Sequence, residues 1–215
     1  MHTRRTDDLR KHRVSVLGAR YFLTCCLSRP MTGLTNLPTS RALRLTFDRL
    51  SEDSDWNLLA ATIMPDHIHV LFVLGETLSL NRTVAKLKTC STCGTLRWQP
   101  NYFEHRLRPD DIAGFYARYI FLNPYRAGLL PRRAIWPHWI IGTDGGNWDF
   151  IAGLEDGMFP PAEWLTQKED IDPTRVGELP LSAKACCRAR PRVAPLDSGY
   201  VENDLKWPDA RSGPT

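Results

Sequence analysis

The stretch WNLLAATIMPDHIHVLFVL, residues 56–74, contains two apolar segments separated by the tripeptide Met64-Pro65-Asp66. Short segments rich in Leu, Ile, Val and Phe are typical of strands. A turn containing Pro-Asp joins two such strands into a tight hairpin. Because side chains alternate across a strand, His67 and His69 share one face, and Ile68, Val70 and Phe72 share the other. The stretch therefore predicts a hairpin with two imidazoles on one face and a helix-packing surface on the opposite face.

The segments around this hairpin predict a ferredoxin-like fold in the α+β class. Apolar periodicity distinguishes helices, with a repeat near 3.6 residues, from strands, with a repeat of 2. The predicted order is a strand in 14–28, a helix at 39–50, strands at 56–63 and 67–74, a helix at 78–92, a strand at 101–108 and a helix at 110–123 that Pro124 ends. This βαββαβα order predicts a four-stranded antiparallel sheet with two helices on one face. The other face is left for a ligand and for the last helix.

The composition predicts one folded domain with additions at both ends. Hydrophobic residues make up 42% of the 215 residues, which is enough for a core and excludes global disorder. We assign residues 1–13 to a basic arm, 14–150 to the domain and 151–215 to an acidic extension. That extension holds 8 of the 16 prolines, so we expect it to be partly irregular, with a short helical piece at 162–165.

Charge and cysteine usage restrict the partners and the compartment. Residues 1–150 carry 20 basic and 13 acidic side chains, whereas residues 151–215 carry 8 and 11. A basic body favours a polyanionic partner. No apolar run approaches the roughly 18 residues that span a bilayer, so we expect no membrane association. Adjacent cysteines at 25–26 and 186–187 suit a reducing cytoplasm. Cys90 and Cys93 form a C-x-x-C, for which we expect buried thiols rather than a zinc site.

Four residues form the candidate site. Two neutral imidazoles, at His67 and His69, can converge on one divalent ion, although such a pair also occurs as ordinary hydrogen-bonded histidines. Tyr119 and Asn123 are four residues apart and share a helix face. A tyrosine hydroxyl can act as a covalent nucleophile, and an Asn amide oxygen can complete a metal shell. By spacing alone, Tyr116 and Tyr125 remain competing nucleophiles.

A basic surface accompanies this site. Between Asp111 and Asp144 the chain has four arginines and no acid, an arrangement that can follow a nucleic-acid backbone. The candidate DNA-binding residues are Arg106, Arg108, Arg118, Arg126, Arg132, Arg133, Lys86 and Lys88.

Three motifs carry a resemblance to a known family. The chain contains MPDHIHVLF at 64–72, Trp98 followed by YFEH at 102–105, and YIFLNPYRAGL at 119–129. In order and spacing these resemble the REP-associated tyrosine transposases, which are relatives of the single-strand insertion-sequence transposases in the HUH superfamily. The resemblance spans about residues 20 to 140.

The resemblance implies a function and a role for each site residue. It implies that His67, His69 and Asn123 bind Mg²⁺ or Mn²⁺ and that Tyr119 attacks a phosphodiester in single-stranded DNA. The product would be a 5′-phosphotyrosine link and a free 3′-OH that can later rejoin the strand. The implied partner is a REP-like DNA hairpin, and the protein would act as a monomer or a homodimer.

Two other functions fit parts of the sequence. A domesticated protein could bind DNA or RNA hairpins without cutting them. The same strand and helix order also serves RNA-recognition domains, but the sequence has no aromatic strand typical of them, and that function leaves the histidine pair unexplained.

Overall fold

The sheet has five antiparallel strands in the order β4-β1-β3-β2-β5. The computed structural model describes residues 15–143 and 148–166. Within them the elements are β1 Arg20–Cys26, α1 Leu37–Glu52, β2 Trp56–Ile63, β3 His67–Leu74, α2 Leu80–Cys90, β4 Phe103–Arg106, α3 Ala113–Arg126, β5 Trp139–Ile141, a 3₁₀ helix Asp149–Gly153 and α4 Ala162–Thr166. The α+β fold class is confirmed.

Helices cover both faces of the sheet. On one face, Leu43 and Phe47 of α1 and Val84 of α2 pack in a cluster with Val70 and Phe72 of β3. On the other face, α3 packs on β1, β2 and β3 in a second buried cluster. This arrangement confirms the prediction that two helices share one face and that the last helix takes the other. The histidine pair lies on the α3 face.

The hairpin between β2 and β3 is held at its turn by the loop that follows β1. The Met64 N–H donates to the His67 carbonyl at 2.8 Å, which closes the turn. The Pro65 carbonyl accepts from the N–H groups of Gly33 and Leu34 at 2.8 and 3.0 Å. These bonds satisfy backbone groups that would otherwise be unpaired, and they fix the entry to β3 where the first histidine lies.

Two predicted features differ from the structure. The sheet has a fifth strand, β5, which pairs with β2, so the four-stranded prediction is wrong. The last helix does not end before Pro124 but continues to Arg126. It begins at Ala113, after the aspartates at 110 and 111 that the prediction had placed in the helix. The Asp111 carboxylate instead accepts from the Arg108 N–H at 2.8 Å, which stabilises the turn between β4 and α3.

Residues that follow β5 pack against α3. Leu154, Ile151 and Trp164 join a third apolar cluster with Phe121 and Tyr125 of α3. The predicted helical piece at 162–165 is confirmed as part of α4. The rest of the predicted extension, from residue 167, and the predicted arm at 1–13 lie outside the described residues.

Two further expectations have an outcome. Cys90 is exposed and Cys93 is half-exposed, so the prediction that they are buried is wrong. Cys90 is the last residue of α2, and Cys93 lies three residues beyond it. None of the helices within residues 15–143 and 148–166 has the length and apolar character to cross a membrane.

Candidate active site

The two histidine side chains meet on the α3 face of β3. Both are buried, with 3% of His67 and 2% of His69 exposed. Their ring centroids are 4.7 Å apart and their planes are nearly perpendicular. The Nε2 atoms of the two rings are 3.2 Å apart. Side-chain alternation along β3 therefore brings two nitrogen atoms to one point.

The other nitrogen of each ring has its own partner. His67 Nδ1 lies 2.7 Å from Asp66 Oδ1, and His69 Nδ1 lies 2.8 Å from Thr24 Oγ1. Burial, with a smaller contribution from the nearby His67, holds the pKa of His69 well below its ordinary value. His69 is consequently neutral at physiological pH, which is the form that binds a metal ion.

This donor set fits a divalent ion. Two nitrogen ligands about 2.1 Å from one ion are about 3.0 Å apart at right angles and about 3.4 Å apart at the tetrahedral angle. The Nε2 separation of 3.2 Å falls between these values. Histidine ligands usually bind a second group through the remaining ring nitrogen, as Asp66 and Thr24 provide here. Within residues 15–143 and 148–166, no three His, Cys, Asp or Glu side chains cluster as a metal centre.

Tyr119 lies beside this pair. Its ring meets the His69 ring edge-on, with 5.6 Å between centroids. Phe22 of β1 connects the two residues, because it stacks on His69 at 5.5 Å and meets Tyr119 edge-on at 5.8 Å. Asn123 is half-buried one helical turn after Tyr119 on α3, on the same helix face. An amide oxygen is a ligand that divalent cations such as Mg²⁺ and Mn²⁺ accept.

The two competing tyrosines are held differently. The ring of Tyr116 stacks on His105, with 5.6 Å between centroids, and burial raises the pKa of Tyr116 to about 12. The Tyr125 hydroxyl donates to the Ala134 carbonyl at 2.9 Å, and burial raises the pKa of Tyr125 to about 12. Burial therefore disfavours the phenolate form of both side chains.

Most of the predicted DNA-binding side chains have protein partners. Arg118 lies over the Trp164 ring, 4.1 Å from its centroid, and Arg126 donates to the Trp164 carbonyl at 2.7 Å. Arg132 pairs with Glu155 at 2.5 Å, and Arg133 lies 3.5 Å from the same carboxylate. All four therefore contact the segment that follows β5.

Of the other four predicted DNA-binding side chains, two are lysines with protein partners and two are exposed arginines. Lys86 pairs with Asp53 at 2.7 Å and also with the buried Asp55. Lys88 donates to the Gln99 and Asn101 carbonyls at 2.8 and 3.0 Å. Arg106 and Arg108 are exposed at the end of β4 and in the turn that follows it. Only this last pair, among the eight predicted side chains, is both exposed and close in sequence to the start of α3.

Three residues that contact the histidine rings were not predicted from the sequence. Thr24, Asp66 and Phe22 contact the histidine rings directly. Asp66 precedes His67 and could have been noticed as a carboxylate next to an imidazole. Thr24 and Phe22 lie on β1, and only the register Thr24 opposite His69 brings that strand to the site.

Known proteins resemble the chain in sequence and in fold. Residues 19–109 match the profile of the family described as "Transposase IS200 like". The REP-associated tyrosine transposase of Escherichia coli is 25% identical over 129 residues, which cover 58% of this chain and 78% of that protein. A Haemophilus influenzae relative is 27% identical over 140 residues, covering 56% of this chain and 78% of its own length. Over these residues the chain is similar to REP-associated tyrosine transposases.

A solved structure of the transposase family shares the fold. It is described as a REP-associated tyrosine transposase bound to a REP hairpin, and it matches with a TM-score of 0.52 and 24% identity. The match covers 60% of this chain and 79% of that one. The family profile includes the histidine pair on β3, whereas Tyr119 and Asn123 lie beyond its last matched residue. The assignment of a nucleophile in this chain therefore depends on the geometry of α3 rather than on the profile match.

Proposed function

We propose that this protein cleaves and rejoins single-stranded DNA at hairpin sequences, with Tyr119 as the nucleophile. One observation carries the proposal: β3 and α3 bring His67, His69 and Tyr119 together, with 4.7 Å between the imidazole centroids and 5.6 Å from His69 to the tyrosine ring. Ordinary packing would explain each residue separately. It does not explain why the Nε2 atoms of two imidazoles meet at one point beside a phenol.

The cation that this site would hold is Mg²⁺ or Mn²⁺. The Nε2 atoms of His67 and His69 and the amide oxygen of Asn123 are the protein ligands in this proposal. A bound divalent ion supplies positive charge that polarises the scissile phosphate and stabilises the charge developing on it. Phosphate oxygens and water would complete a shell rich in oxygen, as Mg²⁺ and Mn²⁺ prefer.

The chemical step exchanges one phosphate ester for another. The Tyr119 hydroxyl oxygen bonds to phosphorus, and the bond from phosphorus to the 3′ oxygen of the preceding nucleotide breaks. The phenol loses its proton and the departing 3′ oxygen gains one, so protons balance overall. The 5′ phosphate remains bonded to the tyrosine. Attack by a 3′-OH on that link reverses the step, and rejoining therefore requires no nucleotide cofactor.

Tyr119 is the best placed of the three candidate tyrosines. It is half-buried and contacts His69 directly, whereas the Tyr125 hydroxyl is bonded to a backbone carbonyl. Burial raises the pKa of both Tyr116 and Tyr125 to about 12, and forming a phenolate there is correspondingly harder.

The partner in this proposal is a DNA hairpin with a short single-stranded flank. The related transposase of known structure is bound to a REP hairpin, and this chain shares its fold. Arg106 and Arg108 are exposed beside the start of α3, where they can contact phosphates. The arginines held by residues 155–164 would have to exchange partners first.

A covalent-capture experiment tests the proposal. A labelled single-stranded hairpin, taken from repeats near the gene, is incubated with protein and Mn²⁺ or Mg²⁺ and resolved on a denaturing gel. We expect a metal-dependent protein–DNA band from the wild type and from Tyr116→Phe. We expect no band from Tyr119→Phe or His67→Ala. Tyr116→Phe is the matched control, because it removes a neighbouring phenol from the same helix.

The other outcomes are equally informative. A band that survives Tyr119→Phe would assign the nucleophile to another tyrosine. Tight hairpin binding without any covalent band would overturn the cleavage proposal and favour the alternative of a hairpin-binding module.

A further inference from the structure

We infer that Asp66 and Thr24 are positioning residues that hold the Nδ1 atoms of His67 and His69, so that both Nε2 atoms face the position of the proposed cation. The inference rests on the proposed function, because it concerns the same histidine pair. Neither residue belongs to the proposed ligand set. Each makes a short side-chain contact to the ring nitrogen that points away from the partner ring, at 2.8 Å for Thr24 and 2.7 Å for Asp66.

Asp66 fixes the tautomer of His67. A carboxylate only accepts hydrogen bonds, so the nitrogen that faces it must carry the proton. His67 Nδ1 is therefore protonated, and His67 Nε2 keeps its lone pair toward His69. The backbone of Asp66 is held in place because its carbonyl accepts from the Leu27 N–H at 2.8 Å. His67 is thus prepared as a ligand before any cation arrives.

Thr24 has a different role, because its hydroxyl can both donate and accept a hydrogen bond. The Nε2 atoms are 3.2 Å apart, which leaves room for one proton between them. Since His67 Nε2 has only a lone pair, that proton is on His69, and His69 Nδ1 then accepts from the Thr24 hydroxyl. Thr24 lies directly opposite His69 in the register of β1 and β3, and both are buried.

Cation binding requires the opposite tautomer of His69. With a cation held by both Nε2 atoms, His69 would carry its proton on Nδ1, and the Thr24 hydroxyl would rotate to accept from that N–H. The hydroxyl therefore satisfies Nδ1 in both states without a change in the number of protons on the ring. A methyl group in its place would leave a buried nitrogen unpaired in both states.

Cation affinity measured without DNA tests this inference. Mn²⁺ alone is titrated into wild type, Thr24→Val, Thr24→Ser and Asp66→Ala, with binding followed by electron paramagnetic resonance. Loss of a hydrogen bond to the remaining nitrogen of a metal-bound histidine typically weakens affinity about 10- to 100-fold. We expect a loss of about 10-fold or more for Thr24→Val and for Asp66→Ala, which both remove the partner of a ring nitrogen. Thr24→Ser keeps the hydroxyl, so we expect its affinity to be close to wild type.

Nitrogen-15 NMR of histidine-labelled protein distinguishes positioning from general stability. We expect His67 to be protonated at Nδ1 throughout, and His69 to change from protonation at Nε2 to protonation at Nδ1 when diamagnetic Mg²⁺ is added. Thr24→Val with wild-type Mn²⁺ affinity, or His67 protonated at Nε2, would overturn the inference. A folded wild type that binds neither cation would overturn it together with the metal part of the proposed function. Loss of the covalent band with normal cation binding would overturn only the proposed cleavage.

Discussion

His138 is a buried imidazole whose ionisation opposes folding. It is 7% exposed beside the Trp136 ring. Burial, with a smaller contribution from the positive Arg44, lowers the pKa of His138 to about 4 from an ordinary 6.5. Between those values the unfolded chain binds a proton that the folded chain does not, so the free energy of unfolding falls as pH falls. We expect this group to remove about 3 kcal/mol between pH 6.5 and pH 4.

Urea unfolding at a series of pH values measures that loss. The His138→Gln variant cannot titrate there, so its free energy of unfolding should fall less steeply than that of the wild type across the same window. The comparison uses slopes, because the substitution itself changes the stability at every pH. Equal slopes in the two proteins would show that His138 is not the group responsible.

Residue-scale features were predictable from sequence where they follow from spacing along one element. His67 and His69 share a face because they are two residues apart on a strand, and Tyr119 and Asn123 share a face because they are four apart on a helix. Thr24 was not predictable in this way. It meets His69 through the pairing of β1 with β3, and the register of two strands distant in sequence is set by tertiary packing.

At the scale of elements, β2 and β3 were predicted with their observed bounds, whereas α3 and β5 were not. Proline in a helix removes one backbone hydrogen bond, which favours a stop at Pro124. Here Pro124 is buried with Leu122 and Tyr125 on the packed side of α3, and this packing outweighs the lost bond. β5 has only three residues, Trp139–Ile141, which is too short for an alternating pattern to be recognised.

Gly142, the residue that follows β5, lies so close to the backbone of β2 that only a glycine fits there. A Cβ atom at this position would lie 1.7 Å from the Leu58 carbonyl oxygen, which is a backbone atom of β2 and cannot move without disturbing the sheet. We therefore expect Gly142→Ala to lower the free energy of unfolding by about 2 kcal/mol or more, as overpacking does. Urea denaturation monitored by circular dichroism measures the change.

Gly114 in α3 provides the matched control. A Cβ atom there would meet only Ile112 and Trp148 side-chain carbons, at 3.9 Å, which is ordinary contact. Alanine is also favoured over glycine in a helix by roughly 0.5–1 kcal/mol. Gly114→Ala should therefore stabilise the protein, and a destabilisation equal to that of Gly142→Ala would contradict the explanation by close approach.

At the scale of the whole molecule, the uneven charge along the chain is partly neutralised within the fold. Glu155 and Asp156, from the acidic part of the chain, contact Arg132 and Arg133 from the basic part. The hydrogen bond from Arg132 lowers the pKa of Glu155, and burial opposes it weakly. The number of basic residues in the sequence therefore overestimates the number of side chains that are available to the proposed DNA partner. The ion pairs that form on folding cannot be recognised from composition.

The salt dependence of hairpin binding tests which cations contact phosphate. Each phosphate contact contributes about 0.7 to 0.9 to the slope of log affinity against log salt concentration. We expect the double variant Arg106→Gln/Arg108→Gln to lower that slope by about 1.5 and to weaken binding of different hairpins about equally.

Arg41→Gln/Arg82→Gln removes two exposed arginines from α1 and α2, on the opposite face of the sheet from α3. It changes the net charge equally, so an equal loss of slope would show that binding depends on overall charge. A loss confined to the first variant would assign the DNA path to the end of β4 and the start of α3.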